Sequence, residues 1–195
     1  MMNNLKKYCA KAIRVITTAP IFAALLCTLL YVLVPNSFAS PLHFVLALGY
    51  LSVLPVLAYP ISAAIPALRR KGRDGQRNLA IALSIVGYLG GFLTGLLFGG
   101  TPTECVLFGT YLCSGTLLAL CTLLHFKASG HACGCSGPNA MLSLFISPWF
   151  MLGYLLLTPI YWSSKKLGRH SIPQLLVGTA IPVLALFANY AVFIR

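Results

Sequence analysis

The chain alternates between long uncharged apolar runs and short polar segments. The longest stretch without Asp, Glu, Lys or Arg extends from Val15 to Leu68. A helix that crosses a bilayer needs about 20 mainly apolar residues. The pattern therefore predicts an all-α, polytopic transmembrane helical bundle. With proline and glycine as punctuation, the predicted spans are residues 15–34, 44–68, 79–98, 105–126 and 172–194, with a further apolar block at 128–162.

The block at 128–162 is long for one span and short for two. One interpretation is a single helix kinked at Pro148. The other is two short or tilted helices with a turn at Ser147-Pro148, because a residue before proline avoids the helical region. Two crossings return the basic residues after the block to the face of Lys127, and every Lys and Arg except Arg195 then shares that face. The prediction is six to seven spans, with seven favoured.

Composition agrees with a membrane protein. Hydrophobic residues make up 58% of the chain and charged residues 8%, against about 25% charged residues in a soluble domain. The net charge is +12, but it lies in short patches between apolar runs, as the positive-inside rule produces. We therefore expect the lipid bilayer as a partner and no nucleic acid. The chain reads as one membrane-embedded domain over residues 1–195, in the plasma (inner) membrane.

The first apolar stretch follows a basic segment, so a cleaved signal peptide is an alternative. Residues 15–34 are longer than the usual apolar core of a signal, and we interpret them as the first span. The seven cysteines are scattered through apolar runs and predict no disulfide framework. His131, Cys133 and Cys135 could offer soft metal ligands. No second Cys/His pair completes a ligand set, so we expect neither a metal nor a cofactor.

Three polar clusters follow the ends of spans and share one face in the seven-span arrangement. They are residues 69–78, 127–131 and 163–174. Arginine forks match phosphate oxygens, and the free N–H groups at a helix start, here after Ser129 and Gly130, favour an anion. Two histidines provide a nucleophile and a proton donor near neutral pH. Together these groups predict phosphoryl transfer without a metal.

The clusters resemble the type 2 phosphatidic acid phosphatase/haloperoxidase superfamily over residues 69–178. That family has a basic residue, six others and Arg-Pro; then Pro-Ser-Gly-His; then Ser-Arg, five others, His, three others and Asp. Two positions of the third motif depart here, because Ser164 replaces the arginine and Gln174 replaces the aspartate. Asn78 and Ala128 replace the prolines of the first and second motifs. The matching positions are Arg70 and Arg77 in the first motif, Ser129, Gly130 and His131 in the second, and Ser163 and His170 in the third.

The resemblance implies that His170 attacks phosphorus and that His131 protonates the leaving oxygen. It implies that Gln174 takes the place of the aspartate that orients the nucleophile. Glutamine can accept the same hydrogen bond but brings no charge. A neighbouring cation, Arg169, Lys165 or Lys127, could lie close enough to replace the arginine missing at Ser164. The expected phosphate-binding set is Arg70, Arg77, Lys127, Ser129, Gly130, Ser163 and Arg169.

The implied function is an integral membrane lipid phosphatase that hydrolyses a phosphomonoester or diphosphate through a phosphohistidine. The alternative is a catalytically weak or inactive relative that binds or transports a phospholipid, which the two departures favour. The sequence does not choose among phosphatidate, phosphatidylglycerol phosphate and polyprenyl diphosphate, and it does not predict an oligomeric state. The distribution of charge predicts a cytoplasmic N-terminus and site, although bacterial members of the family commonly face the site outward.

Overall fold

The computed structural model describes residues 2–194, and side chains from residue 4 to residue 194. This part of the chain is helical and contains no strand, so the all-α prediction is confirmed. The elements are α1 Met2–Ile16, α2 Ala19–Leu33, α3 Pro41–Leu48, a π-helical turn Gly49–Val53, α4 Leu54–Val56, α5 Ala58–Ala64, α6 Pro66–Arg70, α7 Gly72–Leu97, α8 Pro102–Leu123, α9 Gly130–Phe145, a 3₁₀ helix Pro148–Leu156, α10 Leu157–Lys166 and α11 Ile172–Phe193. The prediction that Arg195 lies on the opposite face falls outside the described residues.

Within the described residues, four helical segments are long and apolar enough to cross a membrane. They are Pro41–Ala64, Gly72–Leu97, Pro102–Leu123 and Ile172–Phe193. A fifth span results if Asn4–Ile16 and Ala19–Leu33 are counted together across their 42° bend. Six to seven spans are therefore not confirmed, because α2, α9 and the helices after Pro148 are individually short. The first predicted span, 15–34, is broken at residues 17–18.

The block at 128–162 divides at Ser147-Pro148, as the second interpretation has it. Ser147 is extended and caps the 3₁₀ helix that begins at Pro148. That helix packs back against α9, where the hydroxyls of Ser136 and Tyr154 lie 3.3 Å apart. A Cβ at Gly153 would overlap the side chain of Asn139, so the glycine permits this close approach.

Contacts between distant residues define two ends of the bundle. At the end that we call the basic end, Arg14 donates to Ser164 at 2.9 Å and Arg77 donates to Thr122 at 3.0 Å. At the opposite end, Thr101 and Glu104 form a capping box at the start of α8. There the His43 Nδ1 atom lies 2.9 Å from a carboxylate oxygen of Glu104, which is fully buried. The contact between His43 and Glu104 therefore lies at the opposite end of the bundle from the three polar clusters.

Small residues let the helices pack closely between these ends. A Cβ at Gly87 of α7 would overlap the Tyr50 carbonyl, and one at Gly91 would overlap the Phe108 ring. Such close backbone approach is typical of helix packing in membranes. Large apolar side chains cover the outside of the bundle, among them Leu97 (71% exposed) and Trp149 (78% exposed). A surface of this kind suits contact with lipid tails.

Candidate functional site

A cavity of about 570 Å³ opens at the basic end, among α1, α2, α4, α5, α7, α8, α9 and α11. Both His131 and His170 line it. The structure therefore brings together the two predicted catalytic histidines, which are far apart in sequence. The basic side chains that line the same cavity are Arg14, Arg73, Arg77, Lys127 and Arg169.

His170 lies in the connection between α10 and α11, two residues after Gly168, whose φ is +61°. Its Nδ1–H donates to the Lys127 carbonyl oxygen at 2.9 Å. This bond places the proton on Nδ1 and leaves the Nε2 lone pair available. Partial burial lowers the pKa of His170 below 6.5, and nearby arginines lower it further, while the bond to Lys127 opposes the shift. The neutral, nucleophilic form of this imidazole is therefore favoured near pH 7.

The Lys127 carbonyl is held by the packing of residues 127–129 against α11. The Ser129 N–H donates to the Gln174 carbonyl oxygen at 2.9 Å. A Cβ at Gly178 would overlap the Ser129 backbone, so this glycine lets the two segments meet. Ala128 and Ser129 are buried. The acceptor that orients His170 is thus a fixed backbone atom.

Gln174 does not orient His170, in contrast to the role expected for it. Its Oε1 atom accepts from the Ser171 N–H at 3.0 Å, and the two residues form a capping box at the start of α11. A side chain at the third position of a helix reaches back to the N-cap amide, whereas His170 precedes the cap. The Lys127 carbonyl contacts the His170 Nδ1 atom in its place.

His131 is the second residue of α9, and both of its ring nitrogens contact Arg14. Its Nε2 atom lies 3.1 Å from the Arg14 carbonyl oxygen, and its Nδ1 atom lies 3.2 Å from the Arg14 Nη2 atom. A carbonyl only accepts and a guanidinium only donates, so the proton is on Nε2. A second positive charge beside Arg14 is unfavourable. An anion that draws the guanidinium away would let Nδ1 take a proton.

Arg14 is the residue that the sequence interpretation missed. Its Nη1 atom donates to the Oγ atom of Ser164, which is fully buried, at 2.9 Å. The guanidinium therefore lies where the third motif lacks its arginine. Lys165, one expected substitute, is exposed and does not line the cavity. No signal in the local sequence marks Arg14, because 150 positions separate it from Ser164. It also belongs to a basic segment of the kind that normally sets membrane orientation.

Three other expected phosphate ligands besides Lys127 line the cavity. Arg77 is fixed by its bond to Thr122. Within the described residues, the Arg169 Nε atom is buried and has no hydrogen-bond partner. Gly130 begins α9, a helix of 16 residues whose N-terminal N–H groups favour an anion.

The remaining three candidates do not line the cavity. Arg70 is exposed at the end of α6, and Arg73 lines the cavity instead, after a turn at Gly72 with φ +55°. The buried Ser129 hydroxyl accepts from Ala132 N–H at 3.3 Å and caps α9. The buried Ser163 hydroxyl donates to the Ile160 carbonyl at 3.0 Å.

The side-chain positions bear on the alternative metal-ligand set only. Among residues 4–194, no group of three or more His, Cys, Asp or Glu side chains is placed to hold a metal ion. His131, Cys133 and Cys135 therefore do not form the ligand set considered as an alternative.

Comparison with known proteins adds no relative. No family model matches the chain, and no curated protein or solved structure matches it at a significant level. The resemblance to the phosphatase superfamily therefore rests on the sequence motifs alone.

Proposed function

We propose that this chain is an integral membrane lipid phosphatase that hydrolyses a phosphomonoester or diphosphate of a membrane lipid through a phosphohistidine intermediate. The observation that carries the proposal is the cavity at the basic end. His170, with a free Nε2 lone pair, and His131 line it together with five basic side chains. A substrate phosphate is the group that such a set of donors and cations suits best.

In the proposed reaction, the His170 Nε2 atom forms a bond to phosphorus and the bond from phosphorus to the lipid oxygen breaks. His131 gives a proton to the departing oxygen, which leaves as an alcohol or a lipid phosphate. A water molecule then attacks phosphorus and gives a proton to His131. The bond between phosphorus and nitrogen breaks, and inorganic phosphate leaves. The proton on His170 Nδ1 stays at the Lys127 carbonyl throughout.

Two contacts support activity despite the departures in the third motif. In serine proteases, replacing the orienting aspartate with asparagine costs about 10⁴ in kcat because the histidine adopts the wrong tautomer. The Lys127 carbonyl accepts only, so it enforces the correct tautomer of His170. Arg14 brings a guanidinium to Ser164 and offers the charge that this position lacks.

We further propose seven crossings in the plasma (inner) membrane, with α9 and residues 148–166 as a shorter pair. Arg14 contacts His131 at the start of α9 and Ser164 near the end of α10. Both ends of the pair therefore meet at the basic end, which favours an even number of passes between them. The basic end faces the cytoplasm in this arrangement, in agreement with its lysines and arginines.

The test is release of inorganic phosphate by purified protein in detergent from phosphatidate, phosphatidylglycerol phosphate, polyprenyl phosphate and polyprenyl diphosphate. We expect turnover of at least one lipid, lost in His170→Ala. His125→Asn is the matched control, because His125 is exposed, does not line the cavity and has φ +59°, which asparagine tolerates. Turnover equal to that of His170→Ala across the panel and across pH would instead favour a phospholipid-binding or transport protein.

A further inference from the structure

Three hydroxyl groups on α8 line the cavity and make no hydrogen bond within the described residues. They are Thr110 Oγ1, Tyr111 OH and Ser114 Oγ. Thr110 is 3% exposed and Ser114 is 5% exposed, and they lie one helical turn apart. The three hydroxyls therefore share the wall that α8 contributes to the cavity, and we call them the hydroxyl layer.

The hydroxyl layer differs from four threonine hydroxyls elsewhere in the helices. Thr28, Thr94, Thr122 and Thr179 each donate to the carbonyl four residues earlier, at 2.8 to 3.0 Å. Thr110 and Ser114 forgo this internal partner. A buried hydroxyl without a partner costs about 1–3 kcal/mol, and buried polar groups in proteins are nearly always paired. The three hydroxyls are therefore available to a ligand that supplies acceptors.

The charge of the wall indicates what that ligand offers. The five basic residues that line the cavity lie at helix ends or in connections, and α8 contributes none of them. A second phosphate in the hydroxyl layer would be a buried anion without a cation, which is costly. Neutral donors suit neutral acceptors, such as ester carbonyl oxygens. The chain of a polyprenyl lipid has no oxygen beyond its phosphate groups and offers no acceptor here.

We propose that the hydroxyl layer is a second binding site in the cavity, which takes neutral ester oxygens of a lipid whose phosphate lies at the basic residues. The assignment of the phosphate to the basic residues rests on the proposed function. Esters lie within a few bonds of the phosphate in a glycerol-based lipid, so one molecule can reach both sites. The site therefore selects an ester-bearing lipid over a polyprenyl lipid.

The first test measures kcat/KM for phosphate release with Thr110→Val, Tyr111→Phe and Ser114→Ala. Each variant removes a hydroxyl with little change in shape. We expect a fall of about 3- to 10-fold for a diester glycerol phosphate and no change for polyprenyl phosphate. Thr28→Val is the matched control. The Thr28 hydroxyl donates to the Ala24 carbonyl oxygen, and Thr28 does not line the cavity. Equal losses on both lipids, or no loss on either, would overturn the proposal.

The second test does not depend on turnover, so it separates this proposal from the proposed phosphatase activity. Binding to His170→Ala protein is measured for the diester lipid, its dialkyl ether analogue and polyprenyl phosphate. We expect tightest binding of the ester and selective weakening when Ser114→Ala is added. Because an unpaired hydroxyl is unfavourable, Thr110→Val should also leave the thermal stability of the lipid-free protein unchanged or raise it. Equal binding of the three lipids, or a marked loss of stability in Thr110→Val, would contradict the proposal.

Discussion

Replacement of Arg14 by glutamine tests whether this residue supplies the charge that the third motif lacks. The Arg14 Nη1 atom lies 2.9 Å from the Ser164 Oγ atom, and the Nη2 atom lies 3.2 Å from the His131 Nδ1 atom. The guanidinium is therefore already positioned before a phosphate binds. A glutamine amide keeps one donor for the buried Ser164 hydroxyl but loses the charge. Loss of one preorganised donor to a developing negative charge typically lowers kcat by about 10²–10³. We expect a fall of that size in Arg14→Gln.

The assay is steady-state phosphate release with kcat and KM measured separately, and with thermal unfolding in detergent as the check on folding. Lys11→Gln is the control, because Lys11 lies one turn earlier on α1, is exposed and does not line the cavity. It removes the same charge from the same helix and should leave kcat unchanged. A wild-type kcat in Arg14→Gln would refute the role that we assign to Arg14.

A swap of the two positions sharpens this test. Ser164→Arg alone places two guanidinium groups together in a buried space and should lower stability. Arg14→Ala with Ser164→Arg restores the motif arginine and should recover part of the lost activity. The coupling between the two changes can be read from a double-mutant cycle. Additive losses would show that the two positions do not share one function.

The remaining predictions concern the titration of His170, the cap of α11, the contact between His43 and Glu104, and the orientation of the chain in the membrane. Because burial lowers the pKa of His170 and the attacking form is neutral, kcat/KM should fall with decreasing pH only below pH 6.5; an acid limb above that value would contradict this. Gln174→Glu should keep the capping box, add about 0.3–1 kcal/mol of stability from the helix dipole and leave kcat unchanged. His43→Ala removes the partner of the buried Glu104 Oε1 atom and should cost about 1–3 kcal/mol in detergent unfolding. In a cysteine-free background, an impermeant maleimide should label Ala39→Cys but not Lys165→Cys in intact cells.

The positions of the long helices could be predicted because apolar runs and proline mark them directly. The predicted span 172–194 corresponds to α11, Ile172–Phe193, and the predicted span 105–126 to α8, Pro102–Leu123. The break at residues 17–18 was missed, because the prediction excluded the charged residues before Val15. In the structure those residues form α1, a separate helix whose lysines and most of whose apolar side chains are exposed, whereas Ala10 is buried and Arg14 is half-buried.

Only those site residues could be predicted whose side-chain type and position in the sequence both match a motif. The motifs placed His131 and His170 together, and both line the cavity. The role of Gln174 was assigned from spacing alone, although Ser171-x-x-Gln174 is also the signature of a capping box, and the observed hydrogen bond follows that signature. The acceptor for His170 is a backbone carbonyl, which no side-chain motif records.

A motif describes positions in the chain, whereas phosphate binding depends on positions in space. Because Arg14 contacts both His131 and Ser164, α1 belongs to the site rather than only to the sorting signal. The charge of Arg14 must then be left out when the orientation of the chain in the membrane is inferred. The same holds for the cavity residues Arg73 and Arg77. The exposed lysines of α1 and the basic residues around α6 remain at the same end of the bundle. The positive-inside rule therefore still predicts that this end faces the cytoplasm.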